Sequence, residues 1–305
     1  MRTTLPLIAA LTLSTSAAAQ APRINVPELG RSFASVQAAV DAIGEGRGTV
    51  RLAPGIYREC AVQNEGEVRF EAAPGSVTFD GVTCEGKAAL VLRGRSASVV
   101  GIAFRGMRVP DRNGSGIRHE AGRLDVERSR FLESEQGILT ANEPDLTLTV
   151  TRSDFSGLGD NDGGPSHGLY AGAIARLEVR ECRFDRGTGG HYVKSRASEN
   201  VVVDSTFDDS RGRATNYMID VAGGGRGTIS GNLFIQGENK ENYSAFIDIA
   251  AEVREHAGNL IIENNVARIA PGVARNTVFV AGWRGVRPTL RGNALGSGLT
   301  AWEAR

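Results

Sequence analysis

Two short lines gather most of the reactive side chains of this 305-residue chain. Ser166-His167-Gly168-Leu169-Tyr170 is followed by Gly190-His191-Tyr192-Val193-Lys194-Ser195-Arg196, so that His, Tyr, Lys and Arg fall at matching places in successive copies of one pattern. A Lys beside an Arg suits a base, because the like charge favours its neutral form. An Arg grips a carboxylate through two parallel hydrogen bonds, and a Tyr hydroxyl gives or takes a proton. Together these types suit proton removal beside a carboxylate. Arg196, or a cation, would neutralise the carboxylate, Lys194 or one of His167 and His191 would take the proton, and Tyr170 would act as acid. On a uronate sugar this is C5 proton abstraction. Loss of the leaving oxygen makes a lyase, and reprotonation makes an epimerase.

Such residues act together only if the chain stacks the two lines. A pattern apolar-x-apolar-x-x-small-x-apolar recurs: Leu124, Val126, Ser129, Phe131, then Leu148, Val150, Ser153, Phe155, then Leu177, Val179, Cys182, Phe184, and on to Asn293 and Leu295. Successive copies advance by 23 to 33 residues. Strand-like alternation with so variable a step excludes helix-pair repeats and fits a parallel β-helix, whose extra residues go into loops. The Phe positions should stack inside the tube. The row Ser129, Ser153, Cys182, Ser205, Asn232, Asn265, Asn293 should form a turn ladder, each Asn bonding backbone on the next coil. A second strand in each copy has an inward row Ile117, Ile138, Leu169, Val193, Ile219, Ile247, Val278. The next positions, Arg118, Leu139, Tyr170, Lys194, Asp220, Asp248 and Phe279, then face outward. With coils ~4.8 Å apart, Tyr170, Lys194, Asp220 and Asp248 form a vertical surface row flanked by Arg196. His167 and His191 are expected outward too, unless the Gly before each strand introduces a bend. Loops 157–165, 209–216 and 236–244 would wall a groove over this row, with Arg211, Arg213, Asp220 and Asp248 as substrate-binding residues.

The start of the chain carries a resemblance. Ser35-Val36-Gln37-Ala38-Ala39-Val40-Asp41-Ala42-Ile43 has helical apolar spacing with Ser35 as a cap. Thr49-Val50-Arg51-Leu52 and Ala53-Pro54-Gly55-Ile56-Tyr57 follow as strand and turn. This opening resembles that of pectate-lyase-like β-helix proteins. It implies an all-β fold, a single-stranded right-handed parallel β-helix (solenoid) over 20–305 with a short capping helix over 35–45. Within the central coils, His167-Gly168-Leu169 and His191-Tyr192-Val193-Lys194-Ser195-Arg196 are similar to the H-G-I-x-x-S-R line of periplasmic mannuronan C5-epimerases. Tyr192 stands where that line has Gly, and the family's preceding acidic-His-Asp-Arg line has no clear counterpart. The resemblance implies an acidic polysaccharide as partner.

The remaining features bound the reading. Lys plus Arg and Asp plus Glu are both 35, which argues against a global preference for nucleic acid. Arg2, an apolar run from Leu5 to Leu13 and Ala17-Ala18-Ala19 read as a signal peptide over 1–19, hence a secreted or periplasmic protein. No later run is long and apolar enough for membrane insertion, and we expect a monomer. Export permits a Cys60–Cys84 disulfide, one repeat apart. Cys182 falls in the turn row as a buried small residue. Two alternatives stay open. Asp220 and Asp248 could serve as the carboxyl pair of a glycoside hydrolase, or bind Ca²⁺, for which Asp160, Asn161 and Asp162 are further oxygen ligands although the EF-hand pattern is absent. Alternatively the protein is a non-catalytic glycan-binding or surface β-helix.

Overall fold

Alternating apolar residues make each coil a set of short strands, and the computed structural model arranges these strands in three flat faces. It describes residues 24–160, 166–252, 256 and 258–305. The expected signal peptide, Asn161 and Asp162 lie outside these. The chain winds into a parallel β-helix of about eight turns, with one sheet of twelve strands and two of ten. One coil shows the logic: Arg123–Glu127 lies in the first sheet, Arg130–Leu132 in the second and Gln136–Thr140 in the third. Each strand pairs in parallel with its equivalent one coil away, Leu124 with Leu148 and Phe131 with Phe155. Only the first sheet begins with an antiparallel pair, Ile24–Val26 against Arg31–Phe33.

The expected Phe column fills the tube. Phe104, Phe131, Phe155, Phe184, Phe207 and Phe234 are fully buried, with successive centroids 4.6–5.2 Å apart and near-parallel planes. Each such ring contributes ~1.5–3 kcal/mol of burial. The turn ladder also forms, but each side chain reaches back one coil rather than forward. Asn265 Oδ1 accepts from the backbone N–H of Asn232 at 3.0 Å, and Asn265 Nδ2 donates to the carbonyl of Ile229 at 2.9 Å. Cys182 sits buried in this row. The residue just before each ladder position has φ between 48° and 68°, whether it is Arg128, Arg152, Glu181 or Gly231. The two-residue corner thus imposes the left-handed conformation even where no Gly is present to relieve it.

The ends are closed by different means. The helix Val36–Ile43 turns Val36, Ala39, Val40 and Ile43 onto the core, and Ser35 accepts from the N–H of Ala38 at 3.1 Å. Gln37 pairs with the open sheet edge, donating to the carbonyl of Val62 at 3.0 Å and accepting from its N–H at 2.7 Å. This helix satisfies backbone that would otherwise invite another strand. Cys60 and Cys84 form the disulfide, Cα atoms 5.5 Å apart. At the far end Leu299–Ala304 adds the last strand, and Trp302 packs against the core.

One register differs from expectation. Ile247 pairs with Val280, not Val278, and Asp248 with Ala281, not Phe279. Phe279 is fully buried beside Phe246, centroids 6.2 Å apart, so it faces inward and does not extend the outer row.

Candidate active site

The outer face of the third sheet holds the expected row. Tyr170 pairs with Lys194, Lys194 with Asp220 and Asp220 with Asp248 on four successive coils. Parity does not carry the expected outward placement of His167 and His191, because three places is an odd step and strict alternation would turn them inward. A bend at Gly168 and Tyr192 prevents this. Tyr192 and Val193 both enter the core, and His167 and His191 are returned to the outside. The bend therefore exposes the imidazoles to the row rather than hiding them. His167 and His191 stack at 4.9 Å, and Tyr217 stacks on His191 at 5.6 Å. Tyr217 holds the place before Asp220 that His191 holds before Lys194, so the repeat itself pointed to it.

The row does not lie on an open surface as expected. Lys194 is 7% exposed, Asp220 3% and Asp248 0%. Only Tyr170 and Arg196 remain half-buried, and with Glu252 they form the mouth. Glu252 carries no repeat signal, because it lies in the loop beyond the strand. Its carboxylate bonds both cations, Oε1 accepting from Lys194 Nζ and Oε2 from Arg196. Tyr170 lies beneath, with Lys194 Nζ and the Arg196 guanidinium each 5.7 Å from its ring centroid. His256 Nε2 lies 3.1 Å from the Arg196 carbonyl. Asp220 Oδ2 stands 3.3 Å from His191 Nε2 and 3.6 Å from Lys194 Nζ.

Burial sets the protonation of these groups. It pushes the Asp220 carboxyl up to about 7, against the attraction of Lys194 and with the help of Asp248. Burial likewise lifts Asp248 to about 6, although the Trp283 indole N–H donates to its Oδ1 at 2.9 Å and opposes the shift. His191 is driven down to about 3 by burial and by the charges of Lys194 and Lys240. Burial and the neighbouring His191 hold His167 well below its ordinary value. His167 is thus a neutral imidazole whose Nδ1 accepts the backbone N–H of His191 at 3.1 Å. Tyr170 is raised by burial despite Arg196 and Lys194, so its hydroxyl keeps the proton. Burial pushes Glu252 up, but hydrogen bonds from Arg196 and Lys194 prevail and hold it below the usual carboxylate range. Three buried atoms in the row have no hydrogen-bond partner among the described residues: His191 Nδ1, Asp220 Oδ1 and Asp248 Oδ2.

Beneath the loops lies a second polar cluster that the sequence reading missed. Asp209 and Lys240 form an ion pair at 3.0 Å with both side chains fully buried. Tyr192 Oη donates to Asp209 at 2.7 Å, and Lys240 donates to Thr215 at 2.9 Å. This node ties three coils together beside His191.

Other expected members are placed elsewhere. Arg211 and Arg213 do not join the row but line a separate cleft. Asp248 is inaccessible to any ligand, so it cannot contact substrate as expected. Among the described residues no group of three or more His, Cys, Asp or Glu is placed to hold a metal, and Asp160 faces Arg112 at 3.3 Å.

No protein-family model matches the sequence, and no curated protein matches it significantly. Solved structures do. The alginate lyase of Paenibacillus sp. strain FPU-7 superposes over 87% of this chain and 96% of its own, at 12% identity and TM-score 0.50. ORF18 of Geobacillus virus E2 superposes over 88% of this chain and 56% of its own, at 15% identity and TM-score 0.50. The A-module of the Azotobacter vinelandii mannuronan C-5 epimerase AlgE4 superposes over 89% of this chain and 95% of its own, at 13% identity and TM-score 0.40. At these identities the likeness establishes the fold. The chain is a parallel β-helix protein of the architecture that an alginate lyase and a viral protein share.

Proposed function

We propose that the mouth between Tyr170, Lys194 and Arg196 takes a uronate residue of an acidic polysaccharide and removes its C5 proton. One observation carries this reading: the protein's own Glu252 carboxylate sits on both Lys194 and Arg196. A carboxylate fits between these cations, and a uronate carboxylate that displaces Glu252 would meet the same two donors. Arg196 then holds the sugar carboxylate and stabilises the charge that spreads onto it as the C5–H bond breaks. Lys194, freed of Glu252, releases its ammonium proton to water at the mouth, and the amine so formed accepts the C5 proton. The Tyr170 hydroxyl, kept protonated by burial, gives its proton to the departing glycosidic oxygen while C4=C5 forms. If the oxygen stays, a proton delivered to the opposite face of C5 yields the epimer instead. His167 and His191, both neutral, flank the sugar without adding charge. Asp220, within 3.6 Å of Lys194 and 3.3 Å of His191, is a positioning residue. The alginate lyase among the similar structures supports this reading at the level of fold alone. The hydrolase reading is weaker, because Asp248 is 0% exposed and cannot reach a glycosidic bond.

The test is an assay on alginate and polygalacturonate that follows absorbance from unsaturated uronate ends, with NMR for C5 exchange. Lys194→Ala and Tyr170→Phe should each lower the rate by about 10²–10⁴-fold, the usual worth of a positioned acid or base. New reducing ends without unsaturation would instead support hydrolysis. No change on any acidic polymer would leave the glycan-binding role as the better account.

A further inference from the structure

The corner where the second sheet passes to the third opens a cleft of about 910 Å³ that shares no lining residue with the mouth. Its walls carry Arg108, Arg186, Arg211 and Arg213 against two carboxylates, Glu133 and Asp160. Asp160 is engaged by Arg112 at 3.3 Å, and Arg186 stands 3.7 Å from Asp185. Arg108, Arg211 and Arg213 have no carboxylate within ion-pair reach among the described residues, and all three are exposed. Their charges raise one another's energy and lower that of any anion entering the cleft. The volume lies within the ~300–1,000 Å³ of ordinary ligand sites.

The cleft also lies toward the His191 end of the row. Thr188 lines it and stands three residues before His191, at most about 11 Å along the chain. Arg213 lines it and stands four residues before Tyr217, whose ring stacks on His191. Thr188 is fixed there by donating its hydroxyl to the Gly159 carbonyl at 2.5 Å, and the Arg213 N–H bonds the Gly187 carbonyl at 2.8 Å. Arg196 follows the strand Val193–Ser195 at its other end, beyond Lys194.

We propose that this cleft is a second anionic subsite, in which Arg108, Arg211 and Arg213 hold carboxylates of a polyuronate chain on sugars beyond the reacting one. The inference rests on the proposed reading of the mouth and adds where the chain goes. It crosses the third sheet along its strands, from Arg196 past Lys194 and the His pair to the arginine cleft. A guanidinium reads a planar carboxylate in a fixed geometry, so the site favours uronates over neutral sugars.

The experiment compares wild-type protein with Arg211→Gln/Arg213→Gln, whose exposed side chains can change without disturbing the core. Binding is measured by calorimetry with long uronate oligomers, a uronate disaccharide and a single-stranded DNA of equal charge. The double variant should bind the long oligomers more weakly by about tenfold or more, the scale of one lost charge-assisted contact. Disaccharide affinity should stay unchanged, and the difference should shrink in high salt. Unchanged affinity for the long oligomers overturns the subsite. Equal binding of the DNA, with the same loss on substitution, also overturns it, because the cleft would then be a general polyanion surface. Arginine-dependent binding without turnover would uphold the subsite while removing the proposed reaction. Turnover indifferent to the two arginines would do the reverse.

Discussion

On the outer face of the first sheet, Arg123 meets Asp125 at 2.7 Å, Arg176 meets Glu178 at 2.8 Å and Arg226 meets Glu199 at 2.9 Å, with the arginines 35–65% exposed. On the outer face of the third sheet, Lys194, Asp220 and Asp248 occupy equivalent outward positions but are almost completely covered. Both faces are ladders of charge at one strand spacing. In the first, every cation has an adjacent carboxylate and water screens the pair, so each contributes ~0–1 kcal/mol. In the third, burial lifts Asp220 to about 7 and Asp248 to about 6, and three polar atoms lack partners among the described residues. A charged row marks a candidate site when the fold buries it without satisfying it. Charge alone, as on the first sheet, does not.

The largest test of this contrast is Lys240→Met. It strands the buried Asp209 carboxylate, and breaking such a pair costs ~3–5 kcal/mol. The thermal midpoint should drop sharply, and a fall of less than a degree would show that the node is not structural. Next comes pH. The folded carboxyls of Asp220 and Asp248 bind protons more tightly than the unfolded chain does. Their stabilisation is fully present below about pH 4 and is lost as pH rises through about 6 to 7. The wild-type melting temperature should therefore decline over that window, and Asp220→Asn should flatten the decline. A profile that is already flat in the wild type would mean that the row is hydrated. A smaller effect is expected at the mouth. Glu252→Gln removes the carboxylate that competes for Lys194 and Arg196, so KM for the acidic polymer should fall by roughly two- to fivefold, the factor by which an occupied site taxes affinity. A rise in KM would make Glu252 part of the binding site rather than its occupant. The smallest effect is Arg176→Ala on the first sheet, expected within ~0.5 kcal/mol and without change in activity.

Much of the tube was legible in the sequence because a β-helix reports itself locally. Alternation at period two assigns inside and outside for each strand, and a ring such as Phe155 can only stack on its equivalents, Phe131 and Phe184. The Tyr170–Lys194–Asp220–Asp248 row followed from that alternation. The last coil misled because Val278 and Val280 are both apolar at the same parity. The register was decided by Phe279 packing into the core beside Phe246, which is a tertiary event.

By itself the sequence determined the repeat, the stacking columns, the capping helix and which side chains share the third face. Those depend on residues within one strand or on identical neighbours a coil away. The tertiary structure decided that the row is buried, that the bend at Gly168 and Tyr192 brings His167 and His191 outward, and that Glu252 rests on Lys194 and Arg196. It also separated Arg211 and Arg213 from the row and set them in a cleft of their own. These outcomes depend on loops of irregular length and on which of them fold over a face. Loop paths have no period from which a sequence reader could take their direction.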